Sequence, residues 1–263
     1  MDLLLKNKRA LVTGSSRGLG FAIARLLALE GCRVAINGRN TQTITDAARK
    51  LTLETKADVI PLTGDVGQPE VPASLISQVI QSYGGLDLLV TNAGGPPSGK
   101  FDTFDDAAWQ KAIDLSLICH VRLIRAALPY LRQSDCASVV TMTSYSIKQP
   151  IPNLVLSNSV RAATVGLTKS LSLELGAEGI RFNSILPGWT STERVVELMS
   201  FRAKANGTTV DEEITRQAKD TALGRMARPE EIANAAVFLL SPLASYITGV
   251  MLTVDGGSYK GTL

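Results

Sequence analysis

The stretch Thr13-Gly14-Ser15-Ser16-Arg17-Gly18-Leu19-Gly20 has the residue types and spacing to hold a pyrophosphate. Glycines let a backbone turn sharply and approach an anion closely, and a helix starting there offers its unpaired N–H groups. Gly14, Gly18 and Gly20 supply the turn, with Ser16, Arg17 and Leu19 between them. A lone glycine-rich turn says little, but one lying between a short apolar run and a helical pattern points to a dinucleotide. The second apolar run ends in Ile36-Asn37-Gly38-Arg39-Asn40. An NAD site has a carboxylate there for the adenosine ribose. Here Gly38 takes the acid's place and Arg39 follows it. Arg17 and Arg39 together offer two guanidinium forks suited to a 2′-phosphate, so NADP(H) is the expected cofactor.

These residues need a frame to hold them. Apolar runs and helical patterns alternate from end to end. Arg9 to Thr13, Val34 to Ile36, Asp58 to Leu62, Leu86 to Val90, Ser138 to Met142, Phe182 to Leu186 and Val250 to Val254 read as strands. Continuous apolar strands imply a parallel sheet buried on both faces, and the alternation implies an α/β fold. The expected architecture is one doubly wound Rossmann-type domain over residues 1–263, a seven-stranded parallel sheet with helices on both faces. One segment breaks the rhythm. Residues 189–228 are polar and helix-prone, with Asn206-Gly207 in the middle and Asp211-Glu212-Glu213 opening a second helix. A surface insertion would explain it. Its place after a strand's carboxyl end favours a cover over a substrate site.

Composition excludes other classes. The chain has 263 residues, 45% hydrophobic, enough for one large core. A net charge of +3, with no run of Lys or Arg, gives no case for nucleic acid or membrane binding. The short Met1-to-Lys6 lead and the lack of a long apolar run point to a cytoplasmic protein. Cys32, Cys119 and Cys136 are scattered without ligand spacing, so no metal site is expected. His120, the single histidine, reads as structural.

Taken in order, the motifs resemble those of the short-chain dehydrogenase/reductase family over essentially the whole chain. Thr13 to Gly20 resembles that family's cofactor turn, and Asp65-Val66 its adenine-contacting pair. Thr91-Asn92-Ala93-Gly94 resembles its Asn-Asn-Ala-Gly element, with Thr in the first place. Ser144 stands where the family's active-site serine stands. Pro187-Gly188, with Thr190 beyond, matches the segment that meets the nicotinamide, and Val254-Asp255-Gly256-Gly257 ends the last strand. The resemblance implies a 3-oxoacyl-reductase-like reduction of a carbonyl, or oxidation of a secondary alcohol. It also implies a homotetramer or homodimer built through the fourth and fifth helices and the last strand. Ala162, Ala163, Gly166 and Leu167 suit a close helix contact there, and suit packing on the sheet equally.

The departures fall on the catalytic set. The family's helix asparagine aligns with Ser116, its tyrosine with Ser157 and its lysine with Arg161. Ser157 and Arg161 keep the i, i+4 spacing and so share one helix face. A serine hydroxyl is far too weak an acid to replace a phenol, and a guanidinium cannot relay protons, although Arg161 can still bind ribose and supply charge. Losing a placed general acid costs ~10²–10⁴ in rate. Three readings stay open: an NADP(H) oxidoreductase using Ser144, Arg161 and another proton source; a weak or inactive NADP(H)-binding sensor or partner subunit; and an interaction module with an idle cofactor site. Tyr145 and Lys148 are the nearest phenol and ammonium in sequence. Strand alternation is expected to turn Tyr145 away from the side of Ser144, leaving both in an exposed loop. Trp189 either walls the pocket or packs elsewhere.

Overall fold

The computed structural model describes residues 2–262. Met1 and Leu263, the ends of the expected span, lie outside the described residues. The first half runs β1 (Arg9–Val12), α1 (Gly18–Leu29), β2 (Arg33–Gly38), α2 (Thr41–Thr55), β3 (Val59–Thr63), α3 (Val71–Tyr83) and β4 (Leu88–Thr91). Then come α4 (Asp106–Ile113), α5 (Cys119–Leu131), β5 (Ser138–Met142), α6 (Val155–Glu174) and β6 (Arg181–Pro187). The chain closes with α7 (Glu193–Asn206), α8 (Val210–Lys219), α9 (Pro229–Leu240) and β7 (Met251–Val254).

The seven strands form one parallel sheet in the order β3-β2-β1-β4-β5-β6-β7, the doubly wound architecture the alternation implied. Connections run outward in opposite directions from β1 and β4, which opens a crevice at their carboxyl ends. Alternation along the strands feeds two cores. Ala10, Val12, Leu88, Val90, Val140 and Met142 pack beneath α1, α2 and α9. Leu11, Leu89, Val139 and Phe182 pack beneath α3 and α5. Each large aliphatic side chain buried this way contributes about 1.5–3 kcal/mol.

Most strand ends shift by one or two residues from the sequence reading, and two differences bear on the site. β2 extends through Asn37 and Gly38, because the Asn37 amide is satisfied inside the fold, donating to Leu62 O at 3.1 Å and Gly64 O at 3.0 Å. Between α4 and α5 the chain forms a π turn over Asp114–Ile118, so the two helices run on as one interrupted helix. In α6 the buried face is Leu156, Val160, Thr164, Thr168 and Ser172, spaced by four, with Leu156 and Val160 packed against α4 and Thr168 bonded to Thr141 on β5. Ala162, Ala163 and Gly166 are exposed on the opposite side and do not pack on the sheet.

Candidate active site

The glycine turn is fixed by a lattice of buried hydrogen bonds. Ser15 N donates to Asn37 O at 2.8 Å, and Ser15 Oγ donates to Val12 O at 2.6 Å. On the other side Asn92 Nδ2 donates to Thr13 O and Gly14 O, while Thr13 Oγ1 donates to Asn92 O at 2.8 Å. Gly14 sits at φ +56°, a left-handed conformation that L side chains rarely adopt. A Cβ on Gly20 would strike Gly14 O, so the helix can start this close to β1 only without a side chain. The first helical N–H groups of α1 carry no side-chain cap, which leaves them free for an anion.

At the end of β2, a Cβ on Gly38 would meet Ser16 Cβ at 3.2 Å and Ile44 Cβ at 3.4 Å. A side chain there would need Ser16 or Ile44 to shift by a few tenths of an ångström, which disfavours the carboxylate of an NAD site. Arg39 and Arg17 are exposed on the rim, Arg17 with a loose 3.9 Å contact to Glu197. These residues therefore fit a dinucleotide carrying an extra phosphate.

One cleft of about 440 Å³ runs from this turn along the carboxyl ends of the strands. Of the residues expected to bind the cofactor, Gly14, Ser16, Arg17, Gly18, Leu19, Arg39, Asp65 and Val66 line it at the β1–β3 end. Asn92, Ala93, Gly94, Arg161, Pro187, Gly188 and Thr190 line it at the β4–β6 end. Gly20 alone of that set lies behind the wall and acts through close packing. Ser144, Ser157 and Arg161 meet in the same cleft. Ser116, aligned with the family's asparagine, does not line it. Its buried hydroxyl has no hydrogen-bond partner, and its carbonyl accepts the Thr164 hydroxyl.

Arg161 is partly buried and reaches back to the end of β5, where Nη1 donates to Met142 O and Thr143 O, each at 3.1 Å. It thus holds the strand end that carries Ser144. Loss of solvent, reinforced by the nearby Arg194, pulls its pKa down to about 10, so it remains a cation at neutral pH. Ser144 Oγ accepts from Ser146 N at 3.1 Å, which leaves its own proton available to a ligand.

Tyr145 departs from expectation. β5 ends at Met142, and Tyr145 opens a short 3₁₀ turn, so strand alternation no longer governs its direction. The ring is buried and lines the cleft together with Ser144. Its hydroxyl accepts a hydrogen bond from Trp189 Nε1 at 2.8 Å and makes no other among the described residues. Burial raises its pKa above the ordinary phenol value, so the proton stays on at neutral pH. Lys148 is exposed, as expected, with its ammonium 5.3 Å from the Tyr259 ring centroid. Trp189 is a wall of the cleft, with the Arg202 guanidinium 4.7 Å from its ring centroid.

His120 is buried, with Nδ1 2.7 Å from Thr91 Oγ1. Burial depresses its pKa to about 3, which keeps it neutral. α7 forms the outer wall through Glu193, Arg194, Val195, Glu197 and Leu198. Arg194 was not foreseen, since nothing in the sequence separates it from the solvated charges around it. Asn37 could have been found as the one polar residue ending an apolar run.

Comparisons with known proteins agree with this geometry. A family profile described as enoyl-(acyl carrier protein) reductase matches residues 14–259. The chain is 34% identical over 258 residues to dehydrogenase/reductase SDR family member 4 of Oryctolagus cuniculus, covering 97% of this chain and 94% of the relative. L-sorbose reductase from Gluconobacter frateurii, complexed with NADPH and L-sorbose, superposes with a TM-score of 0.95 at 32% identity, covering 99% of this chain and 100% of that one. An apo short-chain oxidoreductase from Pseudomonas aeruginosa PAO1, described as containing an atypical catalytic center, gives 0.88 at 28% identity, covering 97% and 98%.

Proposed function

The chain belongs to the short-chain dehydrogenase/reductase family, and we propose that it is an NADPH-dependent carbonyl reductase of that family working with an altered catalytic set. The observation that carries this reading is the single cleft, lined by the phosphate turn at one end and by Ser144, Tyr145 and Arg161 at the other. A decayed site would have no need to keep a hydroxyl, a protonated phenol and a cation around one space. The NADPH complex of the L-sorbose reductase supports the choice of nucleotide.

When bound, NADPH supplies a hydride for a carbonyl carbon. The α1 amino terminus and the Gly14 turn hold its pyrophosphate, and Arg17 and Arg39 hold the 2′-phosphate. Ser144 donates a hydrogen bond to the substrate carbonyl and orients it. Arg161 stabilises the negative charge that grows on that oxygen, in a site where partial burial strengthens the interaction. Tyr145 delivers the proton, and the Trp189 indole steadies the phenolate left behind. α7 and Trp189 exclude water from the reacting end.

The test is a screen of ketones and aldehydes with NADPH, followed by absorbance, with Ser144→Ala as control. Turnover that falls about 100-fold in the variant while NADPH affinity is unchanged supports the reading. Tight NADPH binding with no turnover of any carbonyl contradicts it, and leaves a nucleotide-responsive binding protein.

A further inference from the structure

Gly95 lies in the loop after β4, on the cleft wall. A methyl group placed on it would meet Arg194 Nη2 at 3.6 Å, Arg194 Nε at 3.7 Å and Arg161 Nη2 at 3.8 Å. Two guanidinium groups from different elements, α6 and α7, therefore converge on one point beside the reacting end. Arg194 presents its Nε–Nη2 edge, the side of the fork that takes a carboxylate in bidentate fashion, and Arg161 presents Nη2.

Neither edge is neutralised among the described residues. Arg161 spends Nη1 on the carbonyls of Met142 and Thr143 and has no ion-pair partner. Arg194 donates from Nη2 to Pro96 O at 2.8 Å, while its one acidic partner, Glu197, is half exposed and meets Nη1 at 3.3 Å. Glu193 also lines the cleft but pairs with neither arginine. Two cations held close without an acid between them repel each other, and the lowered pKa of Arg161 reflects that repulsion after burial. An anion between the forks removes the penalty.

Resting on the carbonyl-reductase reading, we propose that Arg161 and Arg194 form a subsite for a carboxylate carried by the substrate, so that the preferred substrates are oxo acids. The Arg194 bond to Pro96 O then has a second meaning. It ties α7 to the loop after β4 across the cleft, and places one arm of the subsite on the element that covers the reacting end.

The experiment uses the full chain saturated with NADP⁺. It is titrated calorimetrically with pyruvate, acetoacetate and levulinate, and with the methyl ester of each. At least one acid binds ten- to hundredfold tighter than its ester, about the worth of one or two charge-assisted hydrogen bonds. Arg194→Gln keeps a donor for Pro96 O but removes the charge. That variant loses the preference while its NADPH affinity stays within about twofold. Acids and esters that bind alike, or no binding of any acid, overturn the proposal. So does a variant that weakens NADPH about tenfold and leaves acid preference intact, because Arg194 would then serve the cofactor's pyrophosphate. Failure of NADPH to bind the parent protein removes the cofactor reading instead, and the same acid titration without nucleotide still decides the subsite.

Discussion

Around the pyrophosphate turn at the β1 end of the cleft the working atoms are backbone, and at the β5 end they are side chains. The turn from Gly14 to Gly20 offers main-chain N–H groups, and its shape is held by the buried amide of Asn37, the half-buried amide of Asn92 and the hydroxyls of Thr13 and Ser15. These braces serve the fold as well as the site. At the other end Ser144, Tyr145, Ser157 and Arg161 line the cleft with their side chains, and of these Arg161 also braces the end of β5. The lesson is that binding built from backbone resists change because changing it breaks the turn. Chemistry built from side chains can be rewritten under an unchanged sheet.

The largest effect that would sharpen this contrast falls on Arg161. Arg161→Ala removes a partly buried cation and leaves the carbonyls of Met142 and Thr143 without their donor. Carbonyl reduction should drop by roughly 10²–10³ in kcat, and unfolding stability by about 1–3 kcal/mol, read by turnover and thermal melting. A variant with full activity would break the assignment of charge stabilisation to this residue.

Next comes Tyr145→Phe, which keeps the ring and removes the hydroxyl that accepts from Trp189. The expected loss is about 100-fold in kcat with NADPH affinity unchanged. The pH profile carries an independent signature. Burial raises the phenol's pKa above the ordinary 10, so the protonated donor persists through neutral and mildly alkaline pH. Reductive kcat should therefore stay flat as pH rises and fall only beyond the usual phenol range. A fall between pH 6 and pH 8 would assign the proton to another group.

In the cofactor half, Arg39→Ala should weaken NADPH by about 10–100-fold and leave NADH unchanged, in paired fluorescence titrations. Equal losses would show that Arg39 does not select the nucleotide.

The smallest effect tests a residue that belongs to neither half. His120 is neutral and buried against Thr91, with a pKa near 3 against an ordinary 6.5. A depressed pKa means stability that is full above pH 6.5 and is lost as pH falls toward 3. Replacing His120 with Gln should flatten the fall of melting temperature across that window, read by thermal melting at several pH values. Activity at pH 7 should not change.

Much of the fold was legible because it is written in periodicities and in glycines. Seven apolar runs became seven parallel strands, and Gly14, Gly18 and Gly20 marked the turn. Asn37 was left beyond a strand that ended at Ile36, because a polar residue stays inside a sheet only where it finds partners, and those lie on β3 and beyond it. Tyr145 was set aside because alternation was extended past Met142, where the strand stops. Arg194 had no signal at all. Its meaning comes from Gly95 and Arg161, which are distant in sequence and meet it through the fold. Side-chain convergence of this kind is a tertiary property, and local pattern does not carry it.

The most direct test of the account is a side-by-side fluorescence titration of the purified protein with NADPH and NADH. The account predicts saturable NADPH binding at least about tenfold tighter than NADH binding, because the phosphate turn is intact and Gly38 and Arg39 replace the ribose acid. Binding of neither nucleotide, or equal binding of both, would contradict it.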